Sequence, residues 1–182
     1  MESAVDSMSN TCGFDNVKPI MVDYPYPETK VKAQNQMYAN LLSNDYCGTT
    51  SEMSAITQYI NNENRLSCAK CPIAKSILGI AMAEMIHLQK LGQLIFLLGG
   101  DVSFVAVQQS GRQKMWTPSC LDIPDKLENM LRADIEAETA AINQYRAHMR
   151  MIKDECINAV LDRIIMDEEY HIMILQALLN EI

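Results

Sequence analysis

The chain has 182 residues and a formal net charge of −8, with 48% hydrophobic and 21% charged residues. This length and balance suit one globular domain with a substantial core. The acidic charge, without Lys- or Arg-rich runs, argues against nucleic acid or an anionic membrane as a partner. The longest apolar run, Leu94 to Leu98, is far too short to span a membrane.

The N-terminal residues show neither the basic nor the apolar region of a signal peptide, so we expect a cytoplasmic protein. In a reducing compartment the six cysteines need not pair; they are Cys12, Cys47, Cys68, Cys71, Cys120 and Cys156.

The N-terminal part of the chain predicts little regular structure. Residues 1–28 are irregular, and Tyr24-Pro-Tyr-Pro27 favours an extended arm because proline cannot continue a helix. Apolar spacing indicates a short helix from Val31 to Ser43, followed by a turn over residues 44–50. We assign residues 1–49 to this arm and short helix.

The remaining chain, residues 50–182, predicts an all-α bundle of four long helices. The second helix ends at Gly99-Gly100, and the segment between the second and third helices is a long crossover over residues 101–123 with weak periodicity. The predicted helices span 50–66, 72–98, 124–152 and 154–179.

A Glu-x-x-His motif occurs twice, as Glu84 to His87 and as Glu168 to His171. Residues three apart lie about 60° from each other around a helix, so both side chains of each pair can reach one metal ion. A single pair of this kind arises easily by chance, whereas two copies do so much less often.

A second repeat precedes each motif. Glu52 to Tyr59 and Glu138 to Tyr145 are identical at five of eight positions. Each half of the chain therefore supplies a lone Glu and then a Glu-x-x-His, which is the inward-facing ligand set of a dinuclear carboxylate site in a four-helix bundle.

The neighbours of the motifs argue against solvated charges. The face of the second helix that carries Glu84 and His87 also carries Ile73, Ile77, Ile80, Leu91, Leu94 and Leu98. The face of the fourth helix that carries Glu168 and His171 is apolar in the same way. An uncompensated carboxylate there would cost several kcal/mol, and a metal would compensate it.

Several neighbouring residues have other interpretations. Thr49-x-x-Glu52 matches a capping box, in which Glu52 would bond backbone N–H rather than metal. Glu136, Asp167 and Glu169 are expected to point away from the inward faces.

At these motifs, over residues 50 to 180, the chain resembles the ferritin-like superfamily, which includes bacterioferritins, rubrerythrins and manganese catalases. The stretches Met130 to Glu138 and Asp167 to His171 look most like bacterioferritin, and Ser51 to Tyr59 looks like the manganese-catalase group. Rubrerythrins carry a further carboxylate one turn after the third-helix ligand, where this chain has Ala141.

The resemblance implies two iron or two manganese ions per chain. The metal ligands would be Glu52, Glu84, His87, Glu138, Glu168 and His171, and which Glu bridges the ions is open. Such a centre would react with hydrogen peroxide or O₂ as a peroxidase, catalase or ferroxidase, with an electron-donor protein in some cases. The alternative is ferroxidase or iron-storage function, and we expect a homo-oligomer.

Tyr59 and Tyr145 each lie two turns from a predicted ligand Glu, and could hydrogen-bond the ligands or be ordinary core tyrosines. Cys68-Ala-Lys-Cys71 has the spacing of a redox dithiol, and could equally be two unrelated loop thiols. The six Cys and thirteen Met leave a weaker alternative, a copper-binding bundle.

Overall fold

A computed structural model describes residues 16–66, 71–108 and 110–182, with the side chain of Cys71 excluded. Within these residues the long helices are those expected from the sequence, and the fold is the predicted four-helix bundle. An additional short helix, α1 (Gln36–Cys47), precedes it. The bundle helices are α2 (Glu52–Leu66), α3 (Cys71–Leu97), α4 (Leu127–Met151) and α5 (Glu155–Asn180). In this part of the chain no helix is long and apolar enough to cross a membrane.

Three helix starts differ from the prediction: α4 begins at Leu127 rather than at residue 124, and other caps set the starts of α1 and α2. The short helix begins at Gln36 rather than Val31, since the Asn35 side chain accepts a hydrogen bond from the Tyr38 N–H. The α2 helix begins at Glu52, where Ser51 Oγ accepts from the Ser54 N–H at 3.3 Å. The capping-box alternative at Thr49 is therefore not observed, and the Glu52 carboxylate is available for another role.

The crossover contains a small hairpin that the sequence did not predict. Strands β1 (Val105–Val107) and β2 (Gln113–Met115) pair antiparallel, and a short 3₁₀ turn follows at Pro118–Cys120. The crossover is fastened to α2, because Trp116 Nε1 donates to Ser54 Oγ at 2.9 Å. Three-residue strands carry too little periodicity to be recognised from sequence.

Consecutive helices pack as pairs, α2 with α3 and α4 with α5. Two clusters of buried apolar side chains form the core, one around Leu91, Leu94 and Leu161, the other around Ile77 and Leu131. Along α3, α4 and α5 the predicted ligands lie between the residues of one cluster and those of the other. The polar centre is therefore enclosed by apolar packing on both sides.

Candidate metal centre

The two Glu-x-x-His motifs lie in the middle of α3 and α5, with their side chains almost fully buried. Glu84, His87 and His171 are each 0% exposed and Glu168 is 1% exposed. The imidazole rings of His87 and His171 face each other, with ring centroids 5.9 Å apart and an interplanar angle of 28°. Helical spacing thus brings both motifs to one point in the bundle.

The six predicted ligands form two overlapping clusters. The ligand atoms of each cluster all lie within 4.8 Å of one another. The two residues common to both clusters are Glu84 and Glu168. The clusters are Glu52, Glu84, His87 and Glu168, and Glu84, Glu138, Glu168 and His171.

Each shared carboxylate presents one oxygen to each imidazole. The Glu84 Oε2 atom is 2.7 Å from His87 Nδ1, and Oε1 is 2.9 Å from His171 Nδ1. The Glu168 Oε1 atom is 3.3 Å from His87 Nδ1, and Oε2 is 3.0 Å from His171 Nδ1. The sequence left open which Glu would bridge two ions; in this arrangement both carboxylates lie between the two imidazoles.

The two outer carboxylates are each held by a tyrosine from the opposite helix. Tyr59 on α2 donates its hydroxyl hydrogen to Glu138 Oε1 on α4, and Tyr145 on α4 donates to Glu52 Oε1 on α2. Both tyrosines are buried. This crossed pairing follows from the repeat in the sequence, and it ties α2 to α4 across the centre.

The outward nitrogens of the imidazoles have different partners. His87 Nε2 lies 3.2 Å from Asp167 Oδ2, and His171 Nε2 lies 2.8 Å from the backbone carbonyl oxygen of Ile20. The expectation that Asp167 points away from the centre is wrong. Its face of α5 packs against the N-terminal arm rather than solvent, and Arg163, one turn earlier, neutralises it at 2.6 Å.

Further buried polar residues flank the centre and were not predicted. Asp134 accepts hydrogen bonds from Gln58 and Asn62 on α2. Asp45 accepts from Gln144 at 2.8 Å and lies 2.7 Å from His148 Nδ1. Gln58 follows Glu52 at the same spacing as Gln144 follows Glu138. The repeated Gln-Tyr pair was therefore the sequence pattern from which these hydrogen-bond donors could have been predicted.

Burial and mutual repulsion shape the protonation of the carboxylates. Burial, together with the charges of Glu84 and Glu168, raises the pKa of Glu52 and of Glu138 well above the ordinary value. Burial opposes charge on Glu84 as well, but His87 and His171 outweigh it and lower its pKa. Without metal, burial and repulsion therefore favour the protonated form of the outer carboxylates.

The pKa values of the two imidazoles are also raised, but for a different reason. Burial alone would lower their pKa values, but the nearby carboxylates, Glu84 and Glu168 among them, outweigh it and raise the pKa of both His87 and His171 well above the ordinary value. In the metal-free protein the surrounding carboxylates therefore favour the protonated, positively charged form of both imidazoles.

The donor set fits two divalent cations. Eight buried side-chain atoms have no hydrogen-bond partner among the described residues, and four of them belong to predicted ligands, namely Glu84 Oε1, both oxygens of Glu168 and His171 Nδ1. Buried polar atoms normally have partners, so these four, all directed at the shared centre, are suited to ligate a metal. Four carboxylates also neutralise two divalent charges, and carboxylate with imidazole suits iron or manganese.

A cavity of about 220 Å³ reaches the outer carboxylates from the side of α2 and α4. Its lining includes Glu52, Glu138 and Tyr59, with Cys120 and Ala141. Ala141, the position at which the resemblance to rubrerythrins would place a further carboxylate, lines this cavity. A small molecule can therefore approach the outer ligands without passing through the apolar core.

The structure describes only part of the predicted thiol pair, Cys68 and Cys71. Cys68 lies outside the described residues, and Cys71 is the first residue of α3 with its side chain not described. Both clusters found in the described part of the chain contain only carboxylate and imidazole groups. A role for Cys68 and Cys71, or for copper, stays a prediction.

Known proteins share this architecture. The chain is 24% identical to a probable manganese catalase of Clostridium acetobutylicum over 175 residues, covering 85% of this chain and 76% of that protein. A crystal structure of a manganese catalase from Anabaena superposes with a TM-score of 0.77 at 24% identity, covering 87% of this chain and 78% of that one. A Mycobacterium tuberculosis bacterioferritin matches with a TM-score of 0.66 at 23% identity, covering 81% and 87%.

These similarities establish the ferritin-like fold, and the carboxylate and histidine clusters are compatible with a dinuclear metal site. The rubrerythrin family model matches residues 47–179, which include all six predicted ligands and the crossover. The chain therefore belongs to the rubrerythrin family.

Proposed function

We propose that this protein is a dimetal oxidoreductase that consumes hydrogen peroxide, with two manganese ions as the favoured cofactor and two iron ions as the alternative. The observation that carries the proposal is the pair of buried clusters that share Glu84 and Glu168. Two similar proteins are named as manganese catalases, which favours manganese and disproportionation of two H₂O₂ to two H₂O and O₂.

The proposed ligands divide into shared and outer residues. Glu84 and Glu168 would bind both ions; Glu52 and His87 would complete one site, and Glu138 and His171 the other. Two redox-active ions held side by side supply a two-electron change at one place, which peroxide conversion requires.

The remaining groups of the chain orient and enclose the centre. Tyr59 and Tyr145 hold the outer carboxylates of Glu138 and Glu52 by hydrogen bonds. Because each tyrosine is buried and its pKa is raised by burial and by the carboxylate that it contacts, it stays a neutral donor. The apolar clusters lie on both sides of the centre along the helices, and we propose that peroxide reaches the centre through the α2/α4 cavity.

The decisive measurement is metal content together with oxygen release. Protein expressed with both metals supplied should hold about two manganese ions per chain and evolve O₂ from H₂O₂ without an added reductant. About two irons per chain, with peroxide loss only when an electron donor is present, would favour the peroxidase alternative.

The double variant Glu168→Ala/His171→Ala should lose both metal and peroxide turnover. Glu169→Gln is the matched control, since Glu169 is exposed, adjoins the ligand and pairs only with Arg146 among the described residues. Full turnover in the double variant would refute the proposal.

The bacterioferritin similarity favours a second candidate, a ferroxidase that passes iron to storage. This alternative predicts a large hollow shell and iron uptake far beyond two ions per chain. A dimer or hexamer by light scattering would exclude the shell. For either function we propose a cytoplasmic homo-oligomer, with H₂O₂ or O₂ as substrate and a donor protein if iron is bound.

A further inference from the structure

We propose that residues 18–27, here called the N-terminal strap, are part of the metal centre. The strap positions both ligand imidazoles by determining which ring nitrogen faces the metals. This inference rests on the metal-binding part of the proposed function, and it goes further by assigning a role to a segment outside the four-helix bundle.

The strap is fastened to α3 and α5 at several points. The Ile20 N–H donates to the Gly79 carbonyl on α3 at 2.9 Å. Arg163 on α5 donates from Nε to the Tyr24 carbonyl at 2.8 Å and from Nη2 to the Val22 carbonyl at 3.1 Å. The strap thus lies directly over the outer side of the two histidine-bearing helices.

One strap carbonyl defines the tautomer of His171. The backbone oxygen of Ile20 lies 2.8 Å from His171 Nε2. A carbonyl oxygen can only accept, so Nε2 must carry the hydrogen. The lone pair of a neutral His171 is then on Nδ1, which faces Glu84 and Glu168.

The strap acts on His87 through Asp167. His87 Nε2 lies 3.2 Å from Asp167 Oδ2, and the same oxygen accepts from the Tyr26 hydroxyl at 2.8 Å. The other oxygen, Oδ1, accepts from the Val22 N–H at 2.8 Å. Two strap groups therefore hold the carboxylate that keeps the His87 hydrogen on Nε2 and its lone pair on Nδ1.

The remaining histidine shows that this orientation is not imposed by the bundle alone. His148 presents Nδ1, not Nε2, to a carboxylate, that of Asp45 at 2.7 Å. Among the described residues no hydrogen bond or ion pair joins it to the strap, so it serves as an internal reference for any measurement of histidine state.

Gly79 offers a way to displace the strap without altering a ligand. A Cβ atom at Gly79 would lie 2.8 Å from Ile20 Cγ1 and 3.0 Å from the Lys18 carbonyl oxygen, so in Gly79→Ala the Ile20 side chain or the strap backbone must move. Gly92→Ala is the matched control in the same helix, where a Cβ would approach no atom closer than 3.3 Å. Both changes favour helix formation, so a loss caused by Gly79→Ala cannot come from a weaker helix.

The first experiment measures how fast Mn²⁺-loaded full-length protein loses metal to excess chelator. We expect Gly79→Ala to lose manganese about 10- to 100-fold faster than wild type, the range for residues that orient metal ligands. Gly92→Ala should match wild type. Equal retention by wild type and Gly79→Ala, with two ions bound, would overturn the inference and leave the proposed function intact.

The second experiment identifies which histidine responds, using protein labelled with ¹⁵N-histidine and loaded with Zn²⁺ as a diamagnetic probe. In wild type, His87 and His171 should both show a protonated Nε2. Gly79→Ala should alter the His171 signals, Tyr26→Phe should alter those of His87, and neither should alter His148.

Tyr24→Phe is the control within the strap, because the Tyr24 side chain is 59% exposed. Unchanged His87 and His171 signals in both Gly79→Ala and Tyr26→Phe would refute the positioning role. If wild type bound neither Mn²⁺ nor Zn²⁺, the metal-binding proposal itself would fall.

Discussion

Replacing Glu138 by Gln tests whether the Glu138 carboxylate binds metal or only stabilises the fold. Glu138 is 2% exposed and accepts a hydrogen bond from Tyr59. Burial and the charges of Glu168 and Glu84 raise its pKa, which favours the protonated form of this group in the metal-free protein. Gln has nearly the same shape as a protonated Glu and can still accept from Tyr59. We therefore expect metal-free Glu138→Gln to be within about 1 kcal/mol of metal-free wild type.

Metal should reveal a large difference between the same two proteins. At a free Mn²⁺ concentration of about 100 times the dissociation constant, one site stabilises the fold by about 2.7 kcal/mol. If the lost carboxylate weakens that site about 100-fold, roughly 2.3 kcal/mol of this disappears. In a chain of 182 residues this corresponds to a Tm lower by about 5–9 °C in the presence of Mn²⁺.

The assay is thermal unfolding with and without Mn²⁺, supported by metal analysis. Glu136→Gln is the control, since Glu136 lies on the same helix and is exposed. A full Mn²⁺-dependent rise in Tm for Glu138→Gln would show that Glu138 is not a ligand. If metal-free Glu138→Gln had a Tm as far below metal-free wild type as it has in the presence of Mn²⁺, the ionised carboxylate would have a structural role. The reasoning from its pKa would then be wrong.

Further predictions test the protons, a tyrosine and the core. The pKa values of His87 and His171 are raised in the metal-free protein, so protons on Nδ1 compete with Mn²⁺. Calorimetry in buffers of different ionisation enthalpy should therefore show proton release on Mn²⁺ binding, and the affinity for Mn²⁺ should fall as pH is lowered. A raised pKa at Glu138 means that the folded state binds the proton more tightly than the unfolded chain. The stability of the metal-free protein should therefore fall as pH rises above about 4.3, the pKa of Glu in an unfolded chain. Denaturant titrations of Glu138→Gln should show a smaller dependence of stability on pH. Tyr59→Phe leaves Glu138 without its donor and should cost about 1–3 kcal/mol in urea unfolding, with faster manganese loss to chelator. Ile77→Ala should destabilise metal-free and loaded protein equally, by about 2–5 kcal/mol in urea unfolding, because Ile77 is fully buried in the apolar core.

Much of the architecture could be predicted from local patterns. Apolar periodicity located the four long helices to within a few residues of their observed ends. The weakest predictions were helix starts, where a single hydrogen bond decides the first residue, as the Asn35 cap does for α1. The β hairpin was missed because its three-residue strands are held by the crossover and α1 rather than by their own sequence.

The sequence by itself determined the six candidate ligands. Residues three apart lie on the same face of a helix, and the internal repeat supplies this arrangement twice. Only the tertiary structure decided that Glu84 and Glu168 both belong to two clusters, since that depends on how α3 and α5 face each other. The role of Asp167 and of the Ile20 carbonyl was likewise decided by packing. A backbone carbonyl looks the same at every position in a sequence, so its use at a metal centre is visible only when the strap lies against the helices.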